Sequence, residues 1–323
     1  MFDVKHGRKK KMKIAFAGGP ALERVYTKET VERIASLAGE TPVFGGSLPG
    51  DCEAVFSTWG MPSFSEKVIA ESFPALKYVF YAAGSVQSFA RPFFRQGVRV
   101  FSAWHANAVP VAEFTVAQIV LCGKRYFDVF TGAKASPRGN FGAKVGIIGM
   151  GAVGRLVCDM LKSYKFDVCA YDKFLGAEEF EKHGAKRADL ETIFRECDVI
   201  SNHLADNPDT RGMLGGTLLS LMKPDAYFIN TGRGAQVDGD GLFEAMKTFP
   251  ERTALLDVTW PEPLPEGHKL LSLPNVIVSP HIAGSLGSEV SRMGEYMLEE
   301  FERILRGGEP LYEVNERLLE VLA

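Results

Sequence analysis

Val145-Gly-Ile-Ile-Gly-Met-Gly-Ala-Val-Gly154 decides the fold, because an apolar run ends in a G-x-G-x-x-G whose glycines open an amphipathic helix. It reads as a dinucleotide pyrophosphate site. Gly149 permits the tight strand-to-helix turn, and Gly151, with Met150, Ala152 and Val153, offers backbone N–H groups to the phosphates. Gly154 lets the helix pack closely on the strand. Val153, Leu156, Val157, Met160 and Leu161 then repeat at helical spacing, and a second strand-like run, Asp167-Val-Cys-Ala-Tyr171, ends at Asp172. Asp172 lies 18 residues beyond Gly154. An acid there takes ribose hydroxyls and repels a 2′-phosphate, which favours NAD over NADP.

Working outward, strand patterns recur over 145–148, 168–171, 198–202, 226–230, 254–257 and 276–278, separated by helical or loop stretches, as a doubly wound sheet requires. Upstream, a separate alternation predicts strands over 13–17, 54–57, 76–81 and 98–101. A helix beginning near Thr27 stops at Gly39, and another follows from about Ser65. Val111 to Leu121 reads as a buried connecting helix, 132–142 as loop, and 288–304 as a long amphipathic helix that crosses back to the first domain. The fold class is α/β, with one sheet of Rossmann type and a second α/β domain.

A chain of 323 residues can fill two such domains. With 46% apolar residues, 24% charged and a net charge of −3, it has no field to gather nucleic acid or a membrane surface, so its partners are sought among small molecules. No run approaches the roughly 18 uninterrupted apolar residues of a membrane helix. The basic cluster from Lys5 to Lys13 reads as a solvated tail. Five scattered cysteines lack metal or disulfide spacing, which points to a reducing cytoplasm and to no metal.

Doubly wound sheets bind ligands beyond the carboxyl ends of their strands, so the polar residues there matter most. Thr231-Gly-Arg-Gly234 follows one strand, Asp257 and Glu262 follow the next, and Ser279-Pro-His281 follows the last. Hydride transfer to a 2-keto acid needs a cation for the carboxylate and a proton donor for the developing alkoxide. Arg233 suits the first, since a guanidinium grips a carboxylate with two parallel bonds. His281 suits the second, with Glu262 favouring its protonated form.

With these residues in view, the chain resembles the D-isomer-specific 2-hydroxyacid dehydrogenase family. The likeness rests on 145–155, on Leu221-Met-Lys-Pro-Asp-Ala-Tyr-Phe-Ile-Asn-Thr-Gly-Arg-Gly234, on Leu256-Asp-Val-Thr-Trp-Pro-Glu-Pro263 and on Ser279-Pro-His-Ile-Ala-Gly284. It implies an NAD-dependent enzyme whose catalytic arginine, glutamate and histidine fall on Arg233, Glu262 and His281. Asp257 would hold the carboxamide side of the nicotinamide, and His203, Asn207, Thr231 and Gly284 join the cofactor set. It further implies a discontinuous, flavodoxin-like substrate domain of residues 1–105 and 287–323 around an NAD-binding domain of 106–286, in a homodimer.

The substrate side departs from the family. Where the family carries a glycine-rich carboxylate loop, the chain reads Ala82-Ala-Gly-Ser-Val-Gln87, so Ala83, Gly84 and Ser85 stand in that place. Tyr81 stands where phosphoglycerate-type members tend to have arginine. Ala205 and Asn207 replace the family's usual proline and threonine, and the stretch from Arg125 to Lys144 is short beside its arm. Trp59, Trp104 and Trp260 follow strand ends or lie among the catalytic residues, as core packing or as an aromatic-walled pocket for a larger, sugar-derived acid. His105 would add a polar contact there. A binding protein that senses NAD(H) on the same fold, as in corepressors, is the competing class.

Overall fold

A computed structural model describes residues 11–45, 48–134, 136 and 138–319. Most of the basic cluster lies outside the described residues. The chain forms two compact units: one runs to Asn107 and resumes at Ser285, and the other is the continuous stretch Ala108–Gly284.

In the discontinuous unit, β1 (Ile14–Ala17), β2 (Val43–Phe44), β3 (Ala54–Ser57), β4 (Tyr78–Tyr81) and β5 (Arg99–Ser102) pair in parallel. The continuous unit holds β6 (Lys144–Ile148), β7 (Asp167–Tyr171), β8 (Lys186–Arg187), β9 (Val199–Asn202), β10 (Tyr227–Asn230), β11 (Thr253–Leu256) and β12 (Val276–Val278). The last strand, β13 (Glu313–Val314), returns to the first unit.

The first sheet has the order β13-β5-β4-β3-β1-β2, with β13 alone antiparallel. Four consecutive strands place a phenylalanine in register, and Phe16, Phe56, Phe80 and Phe101 stack with ring centroids 5.2, 4.9 and 4.8 Å apart. This ladder gives one face of the sheet a continuous aromatic core, against which Met293, Met297 and Phe301 of the helix Val290–Leu305 pack. Thr27 caps the helix Lys28–Ala38 by accepting from the Thr30 amide, and Gly39 ends it at φ 67°.

The second sheet has the order β12-β11-β10-β9-β6-β7-β8, all parallel. Apolar clusters cover both faces, which is why its strands read as apolar runs rather than alternations. The order reverses between β6 and β9, so the crevice of a Rossmann sheet lies beyond the ends of those two strands.

Three short strands, β2, β8 and β13, escape the sequence reading. At two residues each they carry no alternation to detect. The connecting helix is also longer than its apolar core, spanning Trp104–Gly123 with Pro110 inside. By length and composition it would be long enough to cross a membrane, and more than half of it is buried within the protein. Within it the apolar run itself stays short, because His105, Asn107, Pro110, Glu113 and Gln118 interrupt it without ending the helix.

Candidate active site

Gly149 turns the chain at the end of β6 with φ 91°, and a Cβ there would stand 2.7 Å from the His203 carbonyl oxygen at the end of β9. Only glycine permits the two strand ends to meet this closely. Gly154 is equally constrained, since a Cβ would lie 2.0 Å from the Gly149 oxygen. Gly151 differs: it heads the ten-residue helix Ala152–Leu161 with no side-chain cap and open space around it. The free amides of that first turn therefore face a cradle fit for a pyrophosphate. Asp172 completes it, with one carboxylate oxygen accepting from the Met150 amide at 3.0 Å and the other from the Phe174 amide at 2.9 Å. These residues fit a dinucleotide.

His203 is buried, and both its nitrogens are engaged, Nε2 with Ser201 at 2.9 Å and Nδ1 with Thr231 at 3.2 Å. Thr231 continues to Thr115 at 3.2 Å. Burial pulls the imidazole down to about 3, so it is neutral at physiological pH. Asn207 heads a turn in which its side-chain oxygen accepts from the Thr210 amide.

The arginine loop hangs from an amide network. Asn202 donates to Asn230 at 3.0 Å and to Gln236 at 2.7 Å, and the Gln236 oxygen also accepts from the Arg233 amide at 3.1 Å. Gln236 then donates to the carbonyls of Leu204 and Ala205. All three amide side chains are fully buried. They were missed in the sequence, although Asn202 and Asn230 end apolar strands and so mark polar positions at the ligand edge. The Arg233 guanidinium donates to the Gly232 carbonyl at 2.8 Å and, among the described residues, forms no ion pair.

His281 meets Glu262 through Nδ1 at 2.6 Å, and both side chains are part-exposed. The other Glu262 oxygen accepts from the Thr259 amide, whose hydroxyl donates to Pro261. His281 itself stands in the left-handed region at φ 55°, uncommon for a side-chain-bearing residue. Asp257 holds it there. Its carboxylate accepts from Ser279 Oγ at 2.6 Å and from the amides of Ile282 and Ala283 at 2.9 Å, while its carbonyl accepts from the His281 amide at 3.0 Å. Asp257 is buried, and its oxygens point into this loop. Gly284 closes the continuous unit directly after it.

The residues expected at a substrate lie in the discontinuous unit. Ser102 Oγ bonds the carbonyls of Ala83 at 3.0 Å and Gly84 at 2.5 Å, and Ser85 Oγ accepts from the Gln87 amide. This fixes the loop with its carbonyls turned toward β5. Trp59 is exposed, and Trp104 packs on the core of this unit with its indole N–H buried and lacking a hydrogen-bond partner. His105 lies against Trp104 with ring centroids 3.6 Å apart, and burial lowers its pKa.

A reversed parallel sheet with a glycine cradle and an acid at the end of the next strand defines a dinucleotide-binding protein. Residues 127–283 match the family described as D-isomer specific 2-hydroxyacid dehydrogenase, NAD binding domain. Residues 127–283 thus carry the NAD-binding domain of the D-isomer-specific 2-hydroxyacid dehydrogenases, and the chain's relatives bear names from that family. It is 29% identical over 285 residues to a glyoxylate reductase of Korarchaeum cryptofilum, covering 84% of this chain and 85% of that protein. It is 29% identical over 221 residues to a D-3-phosphoglycerate dehydrogenase of Methanocaldococcus jannaschii, covering 66% of this chain but only 42% of that one. The chain thus spans about two fifths of that relative's length. Its fold is that of the NAD-complexed D-isomer specific 2-hydroxyacid dehydrogenase of Lactobacillus delbrueckii ssp. bulgaricus, with TM-score 0.74, 24% identity, and 94% and 100% of the two chains covered.

Proposed function

We propose that the protein interconverts a 2-keto acid and a D-2-hydroxy acid with NAD. The observation that carries this reading is the His281–Glu262 pair, 2.6 Å apart, on a loop that Asp257 fastens to the end of β11. When bound, the nicotinamide supplies or accepts the hydride. Arg233 grips the substrate carboxylate and polarises the carbonyl. His281 hands a proton to the developing alkoxide in reduction and takes it back in oxidation, and Glu262, on the far ring nitrogen, stabilises the charged imidazole. Gly149 to Gly154, Asp172, Asn207, Thr231 and Gly284 form the cofactor side, and Asp257, whose carboxylate is engaged by Ser279, Ile282 and Ala283, acts by positioning the His281 loop. His203, with both nitrogens spent, acts by positioning Thr231. Ala83, Gly84, Ser85, Trp59 and Trp104 form the substrate side, and Tyr81 in place of an arginine speaks for an unphosphorylated acid.

The division of labour follows: residues 106–286 bind the cofactor, and 1–105 with 287–323 select the substrate. A homodimer in the cytoplasm is part of the same reading, without nucleic acid or membrane partners. Five free cysteines support the compartment, and the exposed side chains of Val129, Phe130 and Phe141 support a second copy as the partner.

NADH oxidation against a panel of 2-keto acids, including sugar-derived ones, tests the proposal. Turnover on at least one acid, lost by more than a thousandfold in His281→Ala with NADH binding retained, is the expected result. Tight NADH binding with no turnover across the panel identifies a sensor instead.

A further inference from the structure

The five cysteines are not alike. Cys52, Cys122 and Cys158 are buried and bond to no second thiol among the described residues, and burial pushes Cys52 up to about 11, Cys158 up to about 12 and Cys122 well above its ordinary value. Cys169 and Cys197 stand with their sulfurs 3.3 Å apart. Cys169 is the central residue of β7 and part-exposed, whereas Cys197 ends the helix Leu190–Glu196 and is fully buried. Gly146 of β6, in register with Cys169, leaves the space for this meeting: a Cβ at 146 would come within 2.9 Å of the Cys197 sulfur. The hydrogen bond between the two thiols lowers the Cys169 pKa, with Lys144 adding to the effect. The same bond, together with burial, raises that of Cys197.

We infer that Cys169 and Cys197 are a redox modification site that closes to a disulfide under hydrogen peroxide or a related small hydroperoxide. Cys169 is the attacking sulfur, being part-exposed where Cys197 is fully buried. Its thiolate takes one peroxide oxygen, the O–O bond breaks, and the departing hydroxide leaves as water after gaining a proton. Cys169 is then a sulfenic acid. Cys197 attacks that sulfur, the S–S bond forms, the S–OH bond breaks, and a second water carries off the hydroxyl with the Cys197 proton. Two thiols are oxidised by two electrons in all, and one peroxide is reduced to two waters. The sulfurs must approach by roughly 1.2 Å to reach a disulfide's length of about 2.0 Å. A dithiol reverses the bond by exchange.

The full chain treated with equimolar hydrogen peroxide, alkylated and digested provides the test. A mass loss of two hydrogens, a peptide pair linking 169 to 197 and its disappearance with dithiothreitol are expected. The bond joins residues 28 apart in sequence and restricts the unfolded chain, so the thermal midpoint should rise on oxidation. In Cys197→Ser, dimedone should trap Cys169 as the sulfenic acid at several times the wild-type level. Wild-type protein that ends with Cys169 as sulfinic acid or dimedone adduct and yields no linked peptide overturns the proposal. Should Cys197→Ser fail to fold, Cys169→Ser decides: a peroxide-driven rise in midpoint that persists in it is equally fatal.

Discussion

Gly234 rests directly on the backbone of Thr259: a Cβ at 234 would stand 1.9 Å from the Thr259 carbonyl carbon and 2.0 Å from its oxygen. Arg233 precedes this contact and Glu262 lies three residues beyond it, so one close approach sets the spacing of two proposed catalytic side chains. Gly234→Ala must push the loops apart. Overpacking of this kind costs roughly 1–3 kcal/mol. Turnover should fall at least tenfold and the thermal midpoint should drop, as measured by NADH oxidation and a melting curve. Wild-type turnover in this variant would show that the spacing is irrelevant.

Asp257 divides its carboxylate among Ser279, Ile282 and Ala283. An asparagine has one acceptor oxygen, and its amide would confront an N–H, a conflict worth about 1–3 kcal/mol. In Asp257→Asn turnover should fall more than tenfold, while the NADH dissociation constant changes less than threefold. Loss of NADH affinity in parallel with turnover would mean that Asp257 acts on the cofactor itself rather than through the His281 loop.

The buried His203 makes stability depend on pH. Its folded pKa, about 3, lies below the unfolded value of about 6.5, so the unfolded chain binds the proton first as pH falls. This contribution is intact above pH 6.5 and is lost progressively between 6.5 and 3, reaching about 2 kcal/mol by pH 5. Urea titrations at pH 7 and pH 5 should show this loss, and His203→Gln should reduce it. An unchanged difference between the two pH values in the variant would assign the effect to other groups.

Arg252 is a buried cation held by carbonyls and by the Phe249 ring, 4.1 Å from its guanidinium carbon. Only 1% exposed, it donates to the carbonyl oxygens of Leu219, Ser220, Met222, Lys223 and Ala245. Several of these end the helix Gly216–Ser220, whose C-terminal dipole favours a positive charge. Arg252→Met removes hydrogen bonds to five carbonyls at once and should cost roughly 3 kcal/mol or more. The midpoint of chemical denaturation should fall accordingly, with NADH affinity of the folded variant unchanged.

Much of this architecture was legible because it is local. The glycine spacing from Gly149 to Gly154, the apolar run before it and the acid at 172 lie within one strand, one helix and the next strand. Thr27 and Gly39 likewise signal their helix by residues at its own ends. The support beneath the site was not legible. Asn202, Asn230 and Gln236 form one network from three segments, and nothing in any one segment announces the others. The Cys169–Cys197 pair was hidden for the same reason, since the two thiols lie 28 positions apart in sequence and only the sheet brings them together. The family resemblance makes Asp257 a cofactor contact. Its four-residue reach into 279–283 appears only once β11 and β12 are side by side.

The split of the first unit into two sequence segments has a temporal side. Every residue of the continuous unit, Ala108–Gly284, has been synthesised before the helix Val290–Leu305 and β13 exist. During translation the NAD-binding sheet can therefore close first, while β5 waits with an open edge and the phenylalanine ladder lacks its covering helix. The nascent chain is most vulnerable to aggregation in that interval, while the first sheet still lacks its last strand and its covering helix.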